Sequence, residues 1–177
     1  IDNPYEGTFN GDGHTISGLY IGTTANNQGL FGYLSTDGDN TGTVQNLTVS
    51  GNVSGGGHVG GVVGYNNGGT VTGCIFSGSG SVSGSYSVGG VVGYNYSGGS
   101  VTDCYFLQQG ELPGIGDGSG TAGATGLTAD EFKDQNSFPD WDFGIADTWT
   151  IHPVLGRPVL NENWEGGDGS PESPYEI

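Results

Sequence analysis

The side chains with chemistry to offer are few and scattered. The 177 residues carry 19 Asp and Glu against two cations, Lys133 and Arg157, for a formal charge of −17. A polysaccharide lyase needs a cation to steady an acidic sugar and a base such as Lys or Arg, yet both cations lie outside the repeats described below. A glycosidase needs two carboxylates facing each other across a groove, roughly 5–9.5 Å apart. The repeats hold Asp12, Asp37, Asp39 and Asp103, and no two share a column on adjacent repeats. His14, His58 and His152 are too dispersed for a histidine metal site, and His58, beside Val59, reads as a loop residue. Gly118-Ser119-Gly120-Thr121-Ala122-Gly123 has the spacing of a dinucleotide loop, but no strand-like run precedes it and no cation is near. It reads as a plain loop. Calcium is the one ion the turns invite. Asp37-Gly38-Asp39-Asn40 and Asp117-Gly118-Ser119 offer oxygen ligands, though neither closes with a Glu. The expectation is a protein without catalytic residues or cofactor, with Ca²⁺ the single ion worth testing.

Composition narrows the partners. Two cations are too few to hold nucleic acid through its phosphates or to adhere to an anionic membrane. No run of about 18 apolar residues is present, so no membrane insertion is expected. Met is absent, which reads as an excised or processed piece. Glycine supplies 39 residues and apolar residues only 32%, but aromatics reach 11% and the glycines recur in order. Those two features separate the chain from disorder.

The order is an internal repeat. Thr15-Ile16-Ser17-Gly18-Leu19-Tyr20-Ile21 returns as Thr43–Val49, Thr70–Phe76 and Ser100–Phe106. Gly29-Leu30-Phe31-Gly32-Tyr33 returns as Gly61-Val62-Val63-Gly64-Tyr65 and Gly90-Val91-Val92-Gly93-Tyr94. Short β-branched runs joined by glycine turns, about 28 residues apart, describe an all-β parallel β-solenoid of about four coils. The crossover rule makes it right-handed. Three apolar columns follow: Ile16/Val44/Val71/Val101, Leu19/Leu47/Cys74/Cys104 and Ile21/Val49/Phe76/Phe106. The step from the first column to the second is three, not the two a strand requires, so one residue must be absorbed. Gly18, Asn46, Gly73 and Asp103 stand there, all types that accept positive φ, and predict a corner. Cys74 and Cys104 on neighbouring coils are close enough for a disulfide, but a column shared with Leu19 and Leu47 favours two stacked thiols. Val62 and Val63, adjacent in a strand, would point to opposite faces. One of the columns Leu30/Val62/Val91 and Phe31/Val63/Val92 is then expected outside, covered by the tail or by another chain.

Gly7-Thr8-Phe9-Asn10-Gly11-Asp12-Gly13-His14-Thr15-Ile16-Ser17-Gly18-Leu19, followed by Val59-Gly60-Gly61-Val62-Val63-Gly64-Tyr65-Asn66, resembles the GLUG-motif repeat family. Gly126–Phe132, Trp141–Phe143 and Arg157–Leu160 extend the likeness. The resemblance implies β-helical repeats of bacterial and archaeal surface or secreted proteins, many of them adhesins or surface-layer components. It brings no catalytic residues. In such modules a stretch like Gly167-Asp168-Gly169-Ser170-Pro171-Glu172-Ser173-Pro174-Tyr175 stands at the beginning, whereas here it closes the chain. Either the sequence is cut from a tandem array or its tail joins the next subunit.

Three segments are therefore expected: solenoid repeats over 1–106, a capping tail over 107–164, and a module-start-like segment over 165–177. Thr128 and Glu131 form a capping box that predicts one short helix near 129–135. Phe138, Trp141, Phe143, Trp149, Ile151, Val154, Leu155, Val159 and Leu160 supply an apolar cluster to cover the solenoid end. The expected function is a non-enzymatic extracellular module of a surface fibre, stalk or adhesin, its main partner another copy of itself. The alternative is a domain binding carbohydrate or host protein through Tyr20, Tyr105 or the tail tryptophans.

Overall fold

The computed structural model describes residues 3–37, 40–77, 80–96, 98–120, 122–143, 149–153 and 155–160. Gly38 and Asp39 of one calcium candidate, Thr121, Val154 and the whole 165–177 segment lie outside them. Two strands open the fold, β1 (Thr8–Asn10) and β2 (Thr15–Gly22). The coils then run β3 (Phe31–Asp37), β4 (Asn40–Thr41), β5 (Thr43–Ser54), β6 (Gly57–Gly60), β7 (Val63–Asn67), β8 (Thr70–Phe76), β9 (Val82–Ser83) and β10 (Tyr86–Gly89). They finish with β11 (Val92–Asn95), β12 (Ser100–Thr102), β13 (Cys104–Leu107), β14 (Ile115–Gly118) and β15 (Ala124–Leu127). Strands of successive coils pair in parallel as an eight-stranded sheet along β1-β5-β8-β13-β15, a second sheet along β14-β11-β7-β3, and the pair β10-β6. The result is a β-solenoid of about three turns, with incomplete levels at its ends taking up the fourth repeat.

From the second coil on, the register is the one the repeats dictate. Val44, Val71 and Val101 stack, Leu47 lies beside Cys74, and Val49, Phe76 and Phe106 stack, all of them buried. Cys74 and Cys104 are free, buried thiols, each donating to backbone carbonyls. The column holds them as small hydrophobes.

The first coil departs from the expected alignment. Ile16 lies beside Val49 and Ile21 beside Val53, while Phe9 takes the place beside Val44. The cause is an earlier corner. Asp12 and Gly13 both adopt positive φ, and Gly11 and Gly13 donate to the carbonyls of Gln45 and Asn46, so the turn stacks on the Asn46 corner. All four proposed corner residues do have positive φ: 74° at Gly18, 53° at Asn46, 59° at Gly73 and 52° at Asp103. Gly18, however, belongs to a register shift between Ile16 and Leu19 rather than to the stacked corner.

The expected outward valine column is also corrected. Val62, Val63, Val91 and Val92 are all fully buried. Val62 is not in a strand: the chain bends between β6 and β7, and both Val62 and Val63 donate to the carbonyl of Val91. At a bend, two consecutive side chains can enter the same core, so the period of two does not apply there.

The tail takes a different place from the one expected. It lies along the flank of the eight-stranded sheet, running back from the last coil towards the first. Phe132, Phe138, Trp141 and Trp149 pack with Ile75, Tyr105 and Leu127, which point out of β8, β13 and β15. Trp141 Nε1 donates to the carbonyl of Asp103 at 3.1 Å, and Arg157 donates to Thr15 Oγ1 at 3.2 Å. The tail ends in an antiparallel pair, β16 (Trp149–His152) and β17 (Arg157–Leu160). The capping box forms, with Glu131 Oε2 accepting from Thr128 N–H at 2.7 Å. It opens two 3₁₀ turns, Glu131–Lys133 and Gln135–Ser137, in place of the single helix expected. Asp134, between them, is extended and caps the second turn, so the helical hydrogen-bond ladder breaks there.

Candidate functional site

The second sheet carries a feature the repeats foreshadow but do not by themselves assemble. Each coil brings Gly-Tyr to the same register position, so Tyr33, Tyr65 and Tyr94 stack on β3, β7 and β11. Tyr33 meets Tyr65 edge-on at 5.2 Å, and Tyr65 and Tyr94 lie parallel at 5.3 Å. Tyr96 adds a further offset stack on both. Asp117, the partner of Tyr94 on β14, ends the column.

His58 joins this ladder instead of sitting in a free loop. It lies in β6 with φ of 50°, above Asn27 and below Ser87 in a column of positive-φ residues. Its Nδ1 pairs with Asn27 Oδ1 at 2.7 Å, and its ring contacts Tyr65, Tyr86 and Tyr94 at 5.1–5.3 Å. Burial lowers the His58 pKa from its usual value, and Asp117 opposes that shift. Burial raises the Tyr65 pKa, with Tyr33, Tyr94 and Tyr96 adding to the effect. The uncharged ladder is the form the fold favours.

The residue after each tyrosine points inward. Asn66 and Asn95 are buried, Asn66 Nδ2 donates to Asn95 Oδ1 at 2.8 Å, and each amide also donates to a turn carbonyl, of Gly69 and Gly99 respectively. These amides hold the turns that lead from the second sheet to the first. Glycine before the tyrosine is equally needed, because a Cβ on Gly93 would strike the backbone of His58 and Val59. At the foot of the ladder, an open groove of about 430 Å³ is lined by Asn26, Asn27, Gln28, Phe31 and Tyr33. The Gly-Tyr shared by three repeats, with Asn after it in two, was the available signal for the tyrosine stack and the Asn66–Asn95 pair, since equal residues at equal register stack.

The other residues singled out from sequence do not come together. Asp12 and Asp103 occupy corners, Asp37 ends β3, and Asp117 Oδ1 accepts from Gly118 N–H at 2.7 Å. His152 lies on β16 and accepts from Leu155 N–H. The Gly118–Gly123 stretch does follow a strand, β14, contrary to expectation, but it leads into β15 and not into a helix. Among the described residues no group of three or more His, Cys, Asp or Glu could hold a metal. Of the aromatics proposed as binding faces, Tyr20 is 80% exposed, whereas Tyr105, Trp141 and Trp149 are buried in the flank seam. Trp164 lies outside the described residues.

Comparison with known proteins agrees with the repeat reading. Residues 84–107 match the model of the GLUG motif. Halomucin of Haloquadratum walsbyi is 41% identical over an alignment of 87 positions that takes in 36% of this chain. The chain spans about 1% of the length of that relative. No solved structure matches. No helix among the described residues is long and apolar enough to cross a membrane.

Proposed function

We propose that this chain is a non-enzymatic, extracellular structural module of a surface protein, a length of fibre or stalk that continues head to tail into further copies. The observation that carries this reading is the in-register stack. Val44, Val71 and Val101 inside, and Tyr33, Tyr65 and Tyr94 outside, present nearly the same rung at each level. A rod built this way lengthens by adding equivalent coils, about 4.8 Å each, without new design at any level. Strands β14 and β15 end their sheets and offer parallel edges of the kind that β-strand addition uses. The likeness to a small part of halomucin and the GLUG match support a module of a larger repeat protein.

Binding of neutral glycan is the second reading, favoured by the amide-lined groove at Tyr33. The ladder itself counts against it, because Tyr65, Tyr94 and Tyr96 turn their ring faces to one another. Electron microscopy of the chain with and without residues 165–177 tests the first reading. Filaments that vanish on deletion are expected. Single particles in both samples would remove self-assembly through that segment.

A further inference from the structure

The only Lys and the only Arg of the chain meet in one place. Both line a depression of about 290 Å³ between the tail and the outer face of the eight-stranded sheet. Ser50 and Ser77 form its solenoid wall, and Leu107, Phe132 and Leu155 give it apolar sides. The cations are set there by packing. Gly156 has φ of 58°, and a Cβ at that position would press on the Lys133 stem at 3.1 Å, so the lysine chain lies directly over the glycine that precedes Arg157.

Among the described residues only one of the two charges meets a carboxylate. Lys133 Nζ binds Asp130 Oδ1 at 2.8 Å, an exposed pair. Arg157 donates to a neutral hydroxyl, Thr15 Oγ1, and among the described residues its guanidinium forms no ion pair with a carboxylate. A guanidinium has five N–H donors in a fixed fork that fits a carboxylate. Desolvation lowers the Arg157 pKa, as expected for a half-buried cation. Thr48, two residues before Ser50 in β5, buries its Oγ1 without a hydrogen-bond partner. The seam thus brings a positive charge, hydroxyls and apolar side chains together on a chain that is otherwise strongly acidic.

We infer that this seam pocket is a binding site for a single carboxylated sugar, a terminal uronate, with Arg157 and Lys133 taking the carboxylate, Ser50 and Ser77 facing ring hydroxyls, and Leu107 and Leu155 meeting the apolar C–H face. Its volume suits one monosaccharide. The overall charge of −17 repels polyanions at long range, which selects a singly charged end group over an acidic polymer. This site is on a different sheet from the tyrosine ladder and does not depend on the module reading.

The test is an amide chemical-shift titration of the full chain with D-glucuronate, with glucose and inorganic sulfate as separate probes. Saturable shifts at Ser50, Ser77 and Gly156 with glucuronate, and none with glucose, are expected. Arg157→Gln should weaken glucuronate about tenfold or more, while Arg157→Lys, which keeps the charge, should lose less. Unchanged melting of both variants shows that folding is intact. Should Arg157→Gln lose the fold, the glucose and sulfate comparisons on the unaltered chain still decide. Equal shifts with glucose, or equal affinity of the folded Gln variant, would overturn the proposal. So would sulfate binding as tightly as glucuronate, which would leave a plain anion site. Tighter binding of a peptide of residues 165–177 at the same amides would overturn it too, making the occupant another copy of the chain.

Discussion

The solenoid interior and the flank seam are both buried and apolar, yet they are built on opposite principles. Inside the coils, like sits on like: Val44 on Val71 on Val101, Phe76 on Phe106. In the seam the aromatic contacts do not recur from coil to coil, as with Tyr105 against Phe138 at 4.7 Å and Trp141 against Trp149 at 4.1 Å. A translational stack needs the same residue at each level and tolerates any number of levels. A seam has to be solved as one shape. The rod can therefore be extended coil by coil, whereas the tail fits only the coils whose outward residues are apolar. Thr15, Thr48, Ile75 and Tyr105 are the outward neighbours along β2, β5, β8 and β13, and the aromatic cluster sits on the last two.

The largest effect is expected at the seam. Trp141→Ala should remove about 4 kcal/mol of tail docking, since a buried aromatic and its bond to Asp103 are lost together. Limited proteolysis should then cut within residues 128–160 while the β circular dichroism persists. Simultaneous loss of both signals would show that the two regions are one cooperative unit. On the solenoid side, Gly93→Ala should cost about 3 kcal/mol, because the backbone of His58 and Val59 cannot yield to a methyl group. Gly18→Asn, at a positive-φ site with nothing within 4 Å, should change the melting temperature little. Equal losses at the two glycines would undo the claim that close sheet approach sets the coil.

Two pH effects separate the regions further. Burial in the seam, with Asp140 and Asp103 nearby, pushes the Tyr105 phenol up to about 12. A raised pKa favours the protonated folded state, so this stability is complete below pH ~10 and is lost as the pH climbs towards 12. The seam should open in that window, as read by tryptophan fluorescence, and Tyr105→Phe should abolish the slope. A smaller effect belongs to the ladder. Burial lowers the pKa of His58, which faces Asn27, Tyr65, Tyr86 and Tyr94, and the charge of Asp117 opposes that shift. The neutral ring is then the folded form, so stability is full above ~6.5 and declines as the pH falls through the lowered value. Comparing the acid slope of the melting temperature with that of His58→Asn measures it. Identical slopes would mean that His58 titrates the same way folded and unfolded.

Reading the sequence recovered much of the solenoid and little of the sites. The apolar columns from Val44 onward and the positive φ at Asn46, Gly73 and Asp103 follow from local chemistry, because each position must satisfy the same neighbours above and below. The first coil escaped, since Gly11-Asp12-Gly13 and Ser17-Gly18 offer two places to turn, and only stacking on Asn46 selects the first. Val62 and Val63 escaped because strand periodicity holds only within a strand. The repeated Gly-Tyr carried the signal of the tyrosine ladder, though only its valine columns were read from it, and the part of His58 had no such signal, since His58 comes from a different wall of the coil.

Residues one repeat apart thus fix the solenoid architecture, the inner columns from Val44 onward and the corners at Asn46, Gly73 and Asp103, while the structure settles that Cys74 and Cys104 are free thiols. Tertiary structure alone decided where the tail lies, that Tyr105 and the described tryptophans are buried, and that Lys133 and Arg157 share a pocket. The physical reason is one of range. Stacking repeats a local rule, while the seam depends on a single encounter between segments whose complementarity has no period to reveal it.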